Sequence, residues 1–294
     1  MLDQNNADTI GRAVEDGFGA QIAFTQDLIR FPSMRGQEHD VQDFVFNALQ
    51  QRGYATTRLH MDQRAIEAHE GGGKFSAEHS DAPIVIGTFT PSKTLGRSLI
   101  LQSHTDVVPT GPHEMWRFDP FDPQIDGDWL YGRGGADMKA GHAAMIFAMD
   151  ALRAAGLVPA ARVEIQSVVE EESTGNGALM TYLAGHTADA VLIPEPEEEM
   201  LVRANVGTLW FSVELRGTPV HVREMGAGAN AIDAAYRVIK SLRTLEARWN
   251  NDQHKHKYFN DLSHPINLNI GKIEGGDWGS SVPAWCRIQC RIAI

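Results

Sequence analysis

Apolar residues along this chain follow two periods, and each period predicts a different element. Around residues 15–30 and 41–52 the apolar positions lie three and four residues apart, the spacing of one face of an amphipathic helix. Short, mostly apolar runs, typical of strands, occur elsewhere. We predict helices at 15–30, 41–52, 139–155 and up to Leu183, and strands at 83–90, 98–102, 161–169 and 188–196.

The alternation of apolar strands and helices favours an α/β fold. We expect a mixed, largely parallel sheet with flanking helices, in which the strands at 83–90 and 98–102 are neighbours. Residues 60–81 are polar and rich in glycine, and are predicted to form a surface excursion. Ligands of such sheets bind beyond the carboxyl ends of the strands, so the residues that follow each strand are the first candidates for chemistry.

The pattern changes after about residue 200. The chain there predicts a strand at 209–215, a long helix at 231–249 and strands at 266–273 and 285–294. This order is typical of a smaller α+β unit. We therefore expect two domains, at 1–203 and 204–294.

Composition and charge exclude several classes of protein. The formal net charge of −12 argues against a nucleic-acid or anionic-membrane partner. No stretch approaches the ~20 apolar residues needed to span a bilayer, and the N-terminal residues lack the basic and apolar regions of a signal peptide. Cys286 and Cys290 would lie roughly 13 Å apart on one strand, too far for a disulfide. We expect a cytoplasmic protein.

The strand at residues 99–104 leads into a candidate metal ligand. His104 and Asp106 are two residues apart, so in an extended chain they share one face. An imidazole that binds a metal usually donates its other N–H to a carboxylate, which fixes the orientation of the ring and its tautomer. We interpret His104 as a ligand and Asp106 as the group that orients it. The alternative is a polar strand end in water.

Three further segments carry acidic residues that we expect at strand ends. They add Asp137, the pair Glu171 and Glu172, and Glu195. Clustered carboxylates repel each other and resist burial, so such a group is costly without a cation. Histidine with carboxylates suits Zn²⁺, Co²⁺ or Mn²⁺ better than Ca²⁺ or Mg²⁺. The set predicts a hydrolytic site with two divalent ions.

Four motifs in this order resemble the M20 metallopeptidase/deacylase family, the group of acetylornithine deacetylases and succinyl-diaminopimelate desuccinylases. The motifs are SHTDVVP at 103–109, YGRGGADMKAG at 131–141, EEESTGNG at 170–177 and EP at 195–196. The resemblance implies a zinc-peptidase-like catalytic domain at 1–203 and a lid/dimerisation domain at 204–294.

The resemblance also assigns roles to the candidate residues. It implies that His104 and Glu195 hold one ion, that Asp137 bridges both ions and that Glu172 binds the second. It makes Glu171 the general base that activates water, Asp106 the residue that orients His104, and the Asp137–Met138 peptide bond cis.

Residues 217–221 (GTPVH) and 228–232 (GANAI) are similar to the family's lid domain. By this resemblance His221 reaches the active site of a partner subunit in a homodimer and stabilises the oxyanion. Asn269 is a weaker candidate for binding substrate. Family members continue beyond the strand at 285–294 and return to the first domain with the last histidine ligand, so we expect this chain to lack that part.

The leading hypothesis is a two-metal amidohydrolase that removes an acetyl, succinyl or formyl group from an amino acid or related small amine. Zn²⁺ is the first candidate metal, with Co²⁺ and Mn²⁺ as alternatives. A dipeptidase or carboxypeptidase of the same family is the nearest alternative function. The other alternative is an inactive M20-like binding module.

Overall fold

The computed structural model describes residues 3–251 and 257–293. The chain divides into two compact units, Met1–Met200 and Leu201–Ile294.

The helices of the first unit largely follow the predicted positions. They are α1 Gln4–Ile29, α2 His39–Gln51, α3 Gln63–Ala68, α4 Ala140–Ala154 and α5 Asn176–Leu183, with a single 3₁₀ turn at His113–Met115. Helix α1 begins at Gln4 rather than at residue 15, because the side chain of Asp3 accepts a hydrogen bond from the backbone N–H of Asn6 and caps a polar, exposed extension.

The main sheet is mixed, as predicted. The strands of the first unit are β1 Ala55–Leu59, β2 Ile84–Phe89, β3 Leu99–His104, β4 Gln124–Asp126, β5 Trp129–Tyr131, β6 Val163–Val168 and β7 Ala190–Leu192. The order is β1-β2-β6-β3-β7, and β4 and β5 form a separate hairpin. Strands β6, β3 and β7 pair in parallel, whereas β1, β2 and β6 pair antiparallel.

The expectation that β2 and β3 are neighbours is wrong, because β6 lies between them. All six residues of β6 are buried, and the strand fills the central position, where both faces and both edges are covered. The most deeply buried strand, β6, therefore takes the central place in the sheet although it comes late in the chain.

Alternate residues of the strands face two apolar layers. Val85 packs with α1, α2 and α4, whereas its neighbours Ile84 and Ile86 pack with α3 and α5. Residues 60–81 are not only a surface excursion, since they contain α3, whose Ile66 is fully buried in the second layer. The sheet thus has helices on both faces.

The second unit has the predicted strand–helix–strand–strand order. Its elements are β8 Thr208–Arg216, a 3₁₀ segment Val222–Ala227, α6 Ala231–Trp249, β9 Asn267–Gly275 and β10 Trp285–Ala293. The sheet is antiparallel, in the order β8-β10-β9. Cys286 and Cys290 of β10 pack with α6 and are free, as predicted. No helix among the described residues is long and apolar enough to cross a membrane.

We predict that Gly177→Ala destabilises the protein by about 1–3 kcal/mol. A Cβ at this position in α5 would lie 2.1 Å from the backbone oxygen of Val169, which cannot yield without moving the end of β6. Gly19→Ala in α1 is the matched control, because no atom lies within 4 Å of its Cβ. We expect the control to raise the free energy of unfolding by roughly 0.5–1 kcal/mol, because alanine is favoured over glycine within a helix. Urea unfolding measures both, and equal stabilities for the two variants would contradict the close contact.

Candidate metal centre

Three parallel strands deliver most of the predicted site residues to one edge of the sheet. His104 is the last residue of β3, Glu171 and Glu172 follow β6, and Glu195 follows β7. Because these strands pair in parallel, their carboxyl ends meet. The structure brings all four side chains into one cluster.

Asp137 reaches the same cluster by a different route. The expectation that it follows a strand end is wrong, because it lies in the irregular segment Gly135–Lys139 directly before α4. Its backbone is extended there, with φ −111° and ψ 98°. The Asp137–Met138 peptide bond is cis, in agreement with the resemblance.

The His104 ring is at the centre of the cluster. Its Nε2 lies 3.1 Å from a carboxylate oxygen of Asp137 and 3.8 Å from oxygens of both Glu171 and Glu195. The ring is 1% exposed. Its Nδ1 donates a hydrogen bond of 2.9 Å to the backbone carbonyl of Asp106, so Nε2 is the atom that faces the carboxylates.

Asp106 orients His104 through its carbonyl oxygen rather than through its carboxylate. The carboxylate lies farther from Nδ1, at 3.6 Å. Its two oxygens accept hydrogen bonds from the backbone N–H groups of Glu171, at 3.2 Å, and Glu172, at 3.0 Å. Asp106 therefore fixes the ring with one group and the turn after β6 with another.

Burial and the neighbouring charges shift the pKa values of the residues in the cluster. Burial would lower the pKa of His104, but the hydrogen bond to Asp137 and the charges of Asp106, Glu171 and Glu195 outweigh burial and raise this pKa to about 9. Burial and neighbouring carboxylates raise the pKa of Glu172 to about 7. The same two causes raise the pKa of Glu195 to about 7. Carboxylates crowded in this way lower their energy by binding a proton or a cation.

Two groups of side chains have the composition and spacing of a metal site. One contains His104, Glu171 and Glu195, and the other contains His104, Asp137 and Glu172. Within each group the ligand atoms lie within 4.8 Å of one another. One imidazole with carboxylates fits a divalent transition metal or zinc. The first group contains Glu171, to which the resemblance assigns the role of base instead.

The remaining two predicted residues belong to the second unit. His221 is exposed, directly before the segment Val222–Ala227, and its Nδ1 accepts a hydrogen bond from the backbone N–H of Arg223. The neutral ring therefore carries its proton on Nε2, which can donate. Asn269 is exposed on β9, opposite Arg291 of β10.

Sequence reasoning missed the residues that hold the turn after β6. Beside the cluster, the Glu170 carboxylate accepts hydrogen bonds from the Arg35 side chain and from the backbone N–H of Ser80. Glu170 is the first of three consecutive glutamates, and this motif was its only signal. Arg35 and Ser80 lie in loops far from Glu170 along the chain, and no periodic pattern of residues in those loops could predict that they contact it.

Comparison with known proteins supports the same family as the motifs. The sequence model of peptidase family M20/M25/M40 matches residues 100–257. The chain is 30% identical over 283 residues to a succinyl-diaminopimelate desuccinylase of Dinoroseobacter shibae, which covers 92% of this chain and 67% of the relative. It is also 30% identical over 220 residues to an N-formyl-4-amino-5-aminomethyl-2-methylpyrimidine deformylase of Halalkalibacterium halodurans, covering 72% of this chain and 49% of the relative.

Among solved structures, a dipeptidase of Saccharomyces cerevisiae superposes with a TM-score of 0.72 at 16% identity, over 97% of this chain and 71% of the other. At this identity the likeness concerns the fold, and it agrees with the expected fold class. The fold is that of a metallopeptidase-like domain, and the cluster holds candidate metal ligands. The chain belongs to peptidase family M20/M25/M40, as the motifs predicted.

We predict that a divalent ion displaces a proton from His104 on binding. At pH 8, below its pKa of about 9, this ring is protonated in the metal-free protein, whereas carboxyls with a pKa of about 7 are mostly ionised. Binding through Nε2 then releases about one proton, and affinity increases with pH up to about 9. Calorimetric Co²⁺ titration in buffers of different ionisation enthalpy measures this.

His39→Gln, at an exposed histidine paired with Asp81, is the control and should release the same proton. His104→Asn should abolish the release together with most of the affinity. Heats that do not depend on the buffer at pH 8 would exclude His104 as a ligand.

Proposed function

We propose that the protein is a metal-dependent hydrolase of linear amide C–N bonds that removes an N-acyl group from an amino acid or related small amine. The single observation that carries the proposal is the buried Nε2 of His104, which faces carboxylates of Asp137, Glu171 and Glu195. The 30% identical relatives named as a desuccinylase and a deformylase favour succinyl and formyl groups, with acetyl as a further candidate.

In this proposal two divalent ions, Zn²⁺ first and Co²⁺ or Mn²⁺ as alternatives, are held by His104, Asp137, Glu172 and Glu195. The ions supply Lewis-acid polarisation of the amide carbonyl and acidify water. The donor set supports this, since it combines one imidazole with carboxylates, and the pKa values of Glu172 and Glu195 are raised by burial and by the neighbouring carboxylates.

Glu171 is the general base in the proposed reaction. Its side chain is 48% exposed, so water and substrate can reach it. Burial and the nearby Asp106 and Asp137 raise the pKa of Glu171, although His104 opposes them. A raised pKa strengthens a carboxylate as a base. Glu171 takes a proton from the attacking water and delivers it to the nitrogen of the leaving amine.

The second unit contributes His221 in this proposal. The acceptor role of its Nδ1 leaves an Nε2–H that can donate to an oxyanion. We assign the His221 side chain to the active site of a partner subunit, in a homodimer formed through the lid domain at 204–294. Asn269 is a weaker candidate for contact with the substrate. We also place the protein in the cytoplasm, on the argument that its two cysteines cannot pair.

We predict that Glu171→Gln lowers kcat by about 10²–10⁴-fold, because the amide cannot accept the proton. The assay is a panel of N-acetyl, N-succinyl and N-formyl amines and dipeptides with Zn²⁺- or Co²⁺-loaded protein. Glu15→Gln, at an exposed glutamate of α1, is the control. Chelation of the metal should abolish turnover.

Metal content separates the alternatives. Loss of turnover with unchanged metal content supports Glu171 as base, whereas loss of an ion would make it a ligand. Turnover of dipeptides alone would favour the peptidase. If the wild-type protein shows no turnover and binds fewer than one ion per chain, the hydrolase is excluded and the inactive binding module remains as the alternative function.

We predict that Glu171→Ala and His221→Ala, each inactive alone, restore activity when mixed under conditions that exchange subunits. A mixed dimer would contain one site with an intact Glu171 and the partner's intact His221. With random exchange about one quarter of the sites recover in a symmetric dimer. Activity measured before and after exchange tests this. Absence of recovery, with mixed dimers demonstrated, would show that His221 does not act in the partner's site.

A further inference from the structure

Glu170 is a buried carboxylate that the proposed reaction does not use. Its side chain is 0% exposed, and its φ of 61° lies in the left-handed region, which is uncommon for residues other than glycine. Such a conformation persists where the surrounding structure holds it and is concentrated at functional sites. The next two residues are Glu171 and Glu172.

The Glu170 carboxylate is held from three segments of the chain. Oε1 accepts hydrogen bonds from the backbone N–H of Ser80, at 2.6 Å, and from Nε of Arg35, at 3.1 Å. Oε2 accepts a hydrogen bond of 2.7 Å from the hydroxyl of Thr174. Ser80 is itself fixed, since its hydroxyl donates to the buried carboxylate of Glu38 at 2.8 Å. The negative charge is thus paired and fully hydrogen-bonded away from water.

The backbone of Glu170 organises the rest of the turn. Its carbonyl oxygen accepts hydrogen bonds from the N–H groups of Thr174, at 3.0 Å, and Gly175, at 2.8 Å. The left-handed residue reverses the chain after β6, so that the next two N–H groups both reach the carboxylate of Asp106. The turn is held on one side by Asp106 and on the other by the anchored Glu170.

We infer that Glu170 is a positioning residue for Glu171 and Glu172. Its ion pair with Arg35 and its hydrogen bond from Ser80 fix the left-handed turn that places the proposed base and the proposed ligand beside His104. The expected effect on kcat rests on the proposed function. The expected effect on the structure of the turn does not depend on it.

Glu170→Gln tests the inference, because it keeps the shape of the side chain and removes the charge. We expect kcat and Co²⁺ affinity to fall by roughly 10- to 100-fold, the range typical of groups that support metal ligands, with KM nearly unchanged. Arg35→Met should give a similar loss. The double variant should lose little more than the worse single variant, because both changes break one interaction.

Glu164→Gln is the matched control. Glu164 is a buried glutamate of the same unit, 2% exposed, with an Arg162 partner at 3.0 Å, and it lies at the opposite end of β6. It should lower the melting temperature to a similar extent and leave kcat and Co²⁺ affinity as in the wild type. Equal effects of the two substitutions on kcat and affinity would reduce Glu170 to a structural role and overturn the inference.

Hydrogen exchange separates a failure of this inference from a failure of the proposed function. In metal-free protein the amide protons of Glu171 and Glu172 should exchange faster in Glu170→Gln than in wild type or Glu164→Gln. This result stands even if wild type shows no turnover and binds no metal. Unchanged exchange at both amides would overturn the inference whatever the activity.

Discussion

The buried imidazole of His104 is the group on which the candidate metal site of the first unit is centred. One ring nitrogen is bonded to the carbonyl of Asp106, and the other faces carboxylates of three separate segments. Removing charges from water costs several kcal/mol per ion unless they are paired. Positive charge at the centre therefore stabilises the cluster, and the imidazolium is one source of it. The same requirement supports the proposal that the site binds divalent cations.

Much of this arrangement could be predicted from the sequence. Apolar runs identified the strands, and parallel pairing of β6, β3 and β7 brings the residues that follow them to one edge. His104, Glu171, Glu172 and Glu195 could be found because each lies at or shortly after the end of a strand. Asp137 was found through its motif, since the irregular segment that holds it has no periodic pattern.

What the sequence could not predict depends on contacts between distant residues. Two of the partners of the Glu170 carboxylate, Ser80 and Arg35, lie 90 and 135 residues away, in loops without periodicity. The central position of β6 depends on burial of the whole strand, which becomes apparent only when the sheet is assembled. Asp106 was identified as the orienting residue, but its carbonyl and its carboxylate belong to the same position, so spacing could not say which of them bonds to the ring.

Because Asp106 uses both its carbonyl and its carboxylate, it holds two parts of the site in place. The carbonyl of Asp106 accepts a hydrogen bond from the His104 ring, and its two carboxylate oxygens accept hydrogen bonds from the N–H groups of Glu171 and Glu172. The ends of β3 and β6 are thus linked through a buried carboxylate that is held by two hydrogen bonds without any ion. In the proposed reaction this matters, because pre-organised ligands lose little entropy when a metal binds and a fixed base needs no rearrangement during proton transfer. Glu170 holds the other side of the same turn, so the positions of both glutamates are determined by carboxylates that need not contact the substrate themselves.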